Sequence, residues 1–260
     1  MILVWALASA DDFVDDLVDR GLHEHAYVEL LRRASTCDEH ALQWELEAGQ
    51  VHWDARDWAS AGKHFGGMEG DDARLAEAWS WYQDGQELRA ATLASDLARP
   101  EASYLMGLAR LRLGESAAAA RSFDATTGTL EAQGDELARA IQGWRIPYRS
   151  PGLAGGLSAV LPGAGQAYVG RWGEAASAVL VNGLLVASAV QLYKRELYFA
   201  AGAVTFLELG FYGGGIASAA NGARRFNRVA YEERSEPLAV GQGLVLTVEG
   251  EAIEATTGRP

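Results

Sequence analysis

The chain has 260 residues, a formal net charge of −13 and a single cysteine, with 22 Lys and Arg against 35 Asp and Glu. That balance argues against nucleic acid as a partner, because phosphate backbones are met by clustered Lys and Arg. One cysteine excludes an intrachain disulfide and a cysteine-based zinc cage. The acids gather in the first half, in runs such as "DDFVDDLVDR", while the later part is apolar and rich in glycine, so two environments are expected.

The opening "MILVWALASADD" ends its apolar run in Ala8-Ser9-Ala10, a small-x-small pattern suited to cleavage before Asp11. No basic residue precedes the run, and the alternative is a first helix or strand of the fold. Residues 1–10 are therefore read as a short or truncated signal peptide, with that alternative open.

From 11 to 146 Ala, Leu, Glu and Arg dominate and period-2 alternation is absent, which predicts helices. Three segments, "RDWASAGKHF", "GQELRAATLA" and "GESAAAARSF", align on Ala61, Ala90 and Ala119, spaced by 29 residues. Four residues later stand Phe65, Ala94 and Phe123, and the pairs Arg56-Asp57, Gly85-Gln86 and Gly114-Glu115 mark the preceding turns. An earlier copy is expected in "RGLHEHAYVELLRRA", with Gly21 at the turn and Ala26 at the small position. Gly49 and Gly107 fall at matching places in the preceding helices. A small residue lets two helices approach, and the large one a turn later fills the gap. Some of Trp44, Trp53, Trp58, Trp79, Trp81 and Trp144 belong to this core, and one or two are candidate peptide anchors. The pattern resembles the tetratricopeptide repeat, with a shorter period and without all of its signature Trp and Leu. The resemblance implies stacked helical hairpins and a protein or peptide partner on them.

"PYRSPGLAGG" marks a boundary near residue 150, and a membrane domain is expected over 147–228. Apolar helices are predicted at about 175–193 and 197–222, joined by a polar turn at Lys194 and Arg195, each close to the length that crosses a bilayer. The segment 152–169 is a third crossing or a re-entrant piece. Between them lies "LPGAGQAYVGRWGEA", which is not a phosphate loop. Tyr168 stands where a dinucleotide fingerprint needs its third glycine, and no Lys-Ser or Lys-Thr follows. Pro162, Gly163, Gly165, Gln166, Tyr168 and Gly170 instead resemble the "PGxGQxYxG" turn that precedes transmembrane helices in small bacterial membrane domains, and "GARRFNR" (222–228) resembles the close of that domain. Gln166 is expected to bond freed backbone, and Tyr168 to anchor at headgroup depth.

Gly210, Gly214, Ser218 and Gly222 repeat every four residues and form a helix-packing stripe suited to association in lipid. Asn182 and Glu208 lie at mid-segment, where a hydrogen bond between them would lock the hairpin; an ion or proton relay is the other reading of Glu208. His23 and His25, two residues apart, cannot share a metal on one helix face, and His40, His52 and His64 show no ligand spacing. No cofactor, metal or catalytic residue is expected. The remaining tail, 229–260, carries one strand-forming run, Leu244–Val248, expected to pair with "PLAV" or stay loosely attached.

The sequence thus predicts an all-α protein: helical-hairpin repeats, a transmembrane hairpin and a tail with a possible β-hairpin. Its expected role is a non-enzymatic scaffold or adaptor at the inner membrane of a bacterial envelope, repeats periplasmic or, alternatively, cytoplasmic. The rival is a small subunit of a membrane transport or assembly complex. Its partners are a protein or peptide and the lipid bilayer, with helix–helix association in the membrane possible.

Overall fold

The computed structural model describes residues 12–36, 40–240, 243–249 and 252–258. The apolar opening and Cys37 lie outside them. The chain divides into two units, one over the residues before Arg145 together with those from Ser235 onward, the other Arg145–Arg234.

The first unit is a run of antiparallel helices: α1 (Asp12–Asp19), α2 (His23–Thr36), α3 (Ala41–Asp54), α4 (Trp58–Phe65), α5 (Asp71–Gln83), α6 (Glu87–Ser95), α7 (Pro100–Arg112), α8 (Ser116–Asp124) and α9 (Glu131–Gln142). Each helix packs on the next in sequence. The short connections require this, because a chain that turns within a few residues can only fold back along its neighbour. The turns α3–α4, α5–α6 and α7–α8 enter the left-handed region at one equivalent position: Arg56 at φ 59°, Gly85 at 78° and Gly114 at 83°. Glycine adopts this conformation freely, and Arg56 does so against the preference of a side chain. Asp57 then caps α4 by accepting from Ser60 N at 3.1 Å. Pro100 opens α7, where its missing N–H costs nothing.

Complementary volumes set the helix spacing. A methyl group on Gly107 would stand 2.6 Å from Phe123 Cε1, and one on Gly49 would overlap the Phe65 ring. Both phenylalanines are fully buried. One step along the repeat the large residue is replaced by Ala94, and the glycine position by Ala78, also buried. The sequence pattern had not singled out Ala78. Ala26, Ala61, Ala90 and Ala119 are all fully buried, so each stands in a helix–helix contact.

Tryptophans stabilise the stack through both their faces and their N–H groups. Trp53 Nε1 donates to Ser80 Oγ at 2.9 Å, and Trp81 Nε1 donates to the buried carboxylate of Glu77 at 2.9 Å. Arg89 completes that group, donating to Glu77 at 3.1 Å with its guanidinium 3.7 Å from the Trp81 ring centre. Two histidines, His52 and His64, are packing elements here. His64 Nε2 donates to Glu45 O at 2.7 Å, which leaves Nδ1 to accept from the Tyr27 hydroxyl at 3.3 Å. His52 packs 4.4 Å from the Tyr27 ring, and burial holds its pKa below the usual 6.5, so it sits neutral.

The second unit contains α10 (Pro151–Val160), α11 (Ala164–Tyr168), α12 (Trp172–Lys194) and most of α13 (Tyr198–Val240). Segment 152–169 is therefore not one helix: it is two short helices broken at Pro162 and Gly163. A ten-residue helix rises only about 15 Å, half the apolar thickness of a bilayer. α13 also runs well past residue 222, where the apolar stretch closes. Residues 223–240 are rich in Ala, Arg and Glu, which propagate a helix readily, and Pro237 lies inside it. The "PLAV" residues are thus helical. The strand-forming run instead belongs to β1 (Gly243–Glu249), paired antiparallel with β2 (Ala252–Gly258), Val245 opposite Thr256.

Filling the space at Gly107 tests the packing rule. Gly107→Leu overpacks the contact with Phe123 and is expected to cost about 1–3 kcal/mol, and Phe123→Ala about 3–5 kcal/mol. In the double variant the new leucine enters the vacated space, so its loss falls below the sum of the two, as measured by urea unfolding of the full chain in detergent. Additive losses would contradict a direct contact.

Candidate functional site

The turn between α10 and α12 is built around one buried amide. α10 starts at Ser150, whose hydroxyl accepts from Leu153 N at 3.2 Å, with Pro151 in its first turn. Its glycines bring it close to α13: a methyl on Gly155 would lie 3.6 Å from Ile216 Cγ2 and 3.7 Å from Ala220 Cβ. At Leu161 the helix stops. Gly163 turns the chain at φ 89°, and a side chain there would overlap Ala175 O. α11 then runs back, and Gly170 at φ 83° redirects the chain into α12.

Gln166 occupies the angle between α10, α11 and α13 and is almost fully buried. Its Oε1 accepts from Ser158 Oγ at 2.8 Å, and the same hydroxyl oxygen accepts from Gly165 N at 3.1 Å. Its Nε2 donates to Gly215 O at 2.8 Å, and nearby the Tyr212 hydroxyl donates to Ala159 O at 2.7 Å. Broken helices leave backbone groups without partners, and in an apolar setting each such group costs several kcal/mol. The amide, carrying both donor and acceptor, joins three segments at once. Gly165 is required by contact: a methyl there would overlap Ala154 O and stand 2.7 Å from Ala219 Cβ.

Tyr168 serves the same construction. Its hydroxyl accepts from Ser150 N at 3.3 Å, and its ring packs on a buried cluster of Ala154, Val169, Ala219 and Ala223. It ties α11 to the start of α10. Beside it Asn227 clamps the Arg149 backbone from both sides, accepting from Arg149 N at 2.7 Å and donating to Arg149 O at 2.9 Å. The Arg149 guanidinium lies 5.1 Å from the Tyr168 ring centre and 5.5 Å from that of Phe226. A methyl on Gly222 would stand 3.0 Å from Arg171 Nη1. Residues 149–150, 168–171 and 222–227 therefore meet at one end of the unit. The chain enters and leaves the unit at this end. Arg149, Arg171, Arg224, Arg225 and Arg228 gather there, whereas the opposite turn between α12 and α13 carries Lys194, Arg195 and Glu196.

α12 and α13 are long and apolar enough to cross a membrane, and little of either apolar stretch is buried. Phe199 is 94% exposed and Phe206 77%, an apolar surface of the kind that marks contact with a membrane or a partner. Between them lies a cleft of ≈ 760 Å³ lined by Gln166, Asn182, Gly210, Gly214 and Ser218 among others. Asn182 and Glu208 do not bond each other as expected. The Asn182 amide instead donates to Ala178 O at 2.6 Å in its own helix, and Asn182 Oδ1 and Glu208 Oε2 are buried without partners. Of the glycine stripe, Gly222 is in close contact, while Gly210 and Gly214 have nothing within 4 Å of where a methyl would stand. Of the tryptophans offered as peptide anchors, Trp53, Trp79 and Trp81 are core, Trp58 packs edgewise on Trp53 at 4.6 Å, Trp44 lies under Arg33, and Trp144 is half-buried.

Sequence reasoning missed Ser158, Tyr212 and Asn227. Ser158 looks like one more small residue in an apolar run, and its partner lies eight positions away around a turn. Asn227 was within a motif singled out only as a closing pattern. No family model, curated protein or solved structure matches the chain.

Removing the amide tests the knot. Gln166→Leu removes the acceptor of the Ser158 hydroxyl and the donor to Gly215 O and is expected to destabilise the second unit relative to wild type by about 1–3 kcal/mol. Thermal unfolding in detergent micelles reads the difference. Equal stability of Gln166→Leu and wild type would contradict the assignment.

Proposed function

We propose that the protein is a non-enzymatic, membrane-anchored helical-repeat scaffold of a bacterial cell envelope. Its repeats hold a protein or peptide partner beside the bilayer. The observation that carries this reading is the joining of a repeated helical-hairpin stack to a unit whose two longest helices expose Leu, Val and Phe on nearly every side. The first is a stackable surface for peptides, and the second has a bilayer as its natural solvent. The tetratricopeptide-like pattern of small and large residues supports the partner class. So does a groove of ≈ 580 Å³ at the α5–α6 turn, bordered by exposed Leu88 and Leu113. The alternative, a subunit of a transport or assembly complex with Glu208 as a working acid, is supported only by that one unpartnered carboxylate oxygen.

The route of the chain supports an orientation. With α10 and α11 re-entering from the end at which they began, two helices cross, and the flanking segments lie on one side of the membrane. That side carries the arginine cluster, and positive residues favour the cytoplasm. This favours cytoplasmic repeats over the periplasmic arrangement that a third crossing and a cleaved signal would give.

Labelling with a membrane-impermeant maleimide decides between them. In intact spheroplasts native Cys37 is expected to stay unmodified until the membrane is permeabilised, and a cysteine introduced by Glu196→Cys in a Cys37→Ser background reacts at once. Immediate modification of Cys37 with protection of position 196 would reverse the orientation.

A further inference from the structure

The end at which the chain enters and leaves the second unit carries positive charge that its own residues offset only in part. Arg149, Arg171, Arg224, Arg225 and Arg228 stand there, in a protein whose formal net charge is −13. Arg171 pairs with Glu174, and Arg228 lies 3.9 Å from Glu232. Arg224 donates to the Asn221 side-chain oxygen at 2.7 Å. Arg149 and Arg225 have no ion pair among the described residues.

Arg149 is braced as well as unpaired. Asn227 holds its backbone from both sides, and its guanidinium lies over the rings of Tyr168 and Phe226. A guanidinium fixed in this way loses little freedom on binding, and its planar fork of donors matches phosphate oxygens. Aromatic neighbours mark the depth. Tyr148 and Trp172, adjacent in sequence to Arg149 and Arg171, are 69% and 71% exposed. Exposed Tyr and Trp rings beside apolar spans settle at the headgroup layer, where the phosphates are.

Resting on the membrane reading above, we infer that this end binds the headgroups of anionic phospholipids, with Arg149 and Arg225 as the cations that meet the phosphate. Charge complementarity selects the lipid. A zwitterionic headgroup brings its own ammonium to its phosphate, whereas an anionic one brings the net negative charge that Arg149 and Arg225 lack. The bilayer is the source because α12 starts at this end and the apolar stretch of α13 closes there, which keeps both guanidinium groups against the headgroup layer. The opposite turn does not repeat the arrangement, since Glu196 follows directly on Lys194 and Arg195.

Native mass spectrometry of the full chain released from detergent micelles counts bound lipids and gives a Kd for the first. Phosphatidylglycerol is expected to bind more tightly than phosphatidylcholine with the same acyl chains. Arg149→Gln and Arg225→Gln are each expected to raise its Kd about fivefold, the worth of one arginine near an anionic surface. Arg149→Lys, which keeps the charge, is expected to keep most of the affinity, and Lys194→Gln at the opposite turn to leave it nearly unchanged. Phosphatidylcholine binding equal to that of wild type marks the variants as folded. Equal Kd values for the two lipids on wild type would overturn the inference, and a phosphatidylglycerol Kd untouched by either glutamine variant would overturn this face. Glycerol phosphate bound as tightly as phosphatidylglycerol would assign the arginines to a free anion and overturn the lipid. Failure of the chain to float with phosphatidylcholine vesicles would remove the membrane reading itself, and the lipid site with it.

Discussion

The second unit depends on a problem of hydrogen bonding. A chain that enters an apolar layer, stops and turns back exposes the carbonyls and N–H groups of two helix ends where water is not available. Ser158 answers part of it, its hydroxyl oxygen accepting from Gly165 N, and the Gln166 amide ties that hydroxyl to the Gly215 carbonyl within α13. Gly163 and Gly165 are what the arrangement needs around it, one for a left-handed turn and one for the contact of α11 with α10 and α13. Tyr168 and Asn227 close the open end by binding the backbone at Ser150 and Arg149. Two short helices folded on each other and a single end for the chain's entry and exit go with that knot.

The first unit solves a different problem, regular spacing of helices in water, and does so by volume. Gly49 accepts Phe65 and Gly107 accepts Phe123, while Ala78 and Ala94 occupy the corresponding positions between them. The polar atoms of the large aromatics are tied to Ser80 and Glu77, so the stack buries them with partners. Such repetition gives a scaffold whose surface can change without disturbing its interior. The partner-binding role proposed for it is of that kind.

Much of this was legible in the sequence because it is periodic or glycine-marked. The alanines at 61, 90 and 119 and the turns before them reveal the hairpins, and glycines in "PGAGQAYVG" reveal a break. The folded-back path was not legible: an apolar run of the length of 152–169 is compatible with a single helix, and the hydrogen bond that Gln166 makes at the break reaches a residue 49 positions away. The expected Asn182–Glu208 bond failed for a local reason, since a helical asparagine can close on the carbonyl four residues back. The length of α13 was also hidden, because the end of an apolar stretch is not the end of a helix.

The re-entrant path belongs to the proposed membrane reading, and depth measurement tests it most directly. Nitroxide labels at positions 160, 169 and 196, each introduced singly as cysteine in a Cys37→Ser background, can be compared in vesicles by their relaxation with oxygen and with a water-soluble nickel chelate. The account predicts that the label at 160 lies near mid-bilayer, and that those at 169 and 196 lie at opposite headgroup layers. A label at 160 found in the headgroup layer opposite that of 169 would make the segment a third crossing and contradict it.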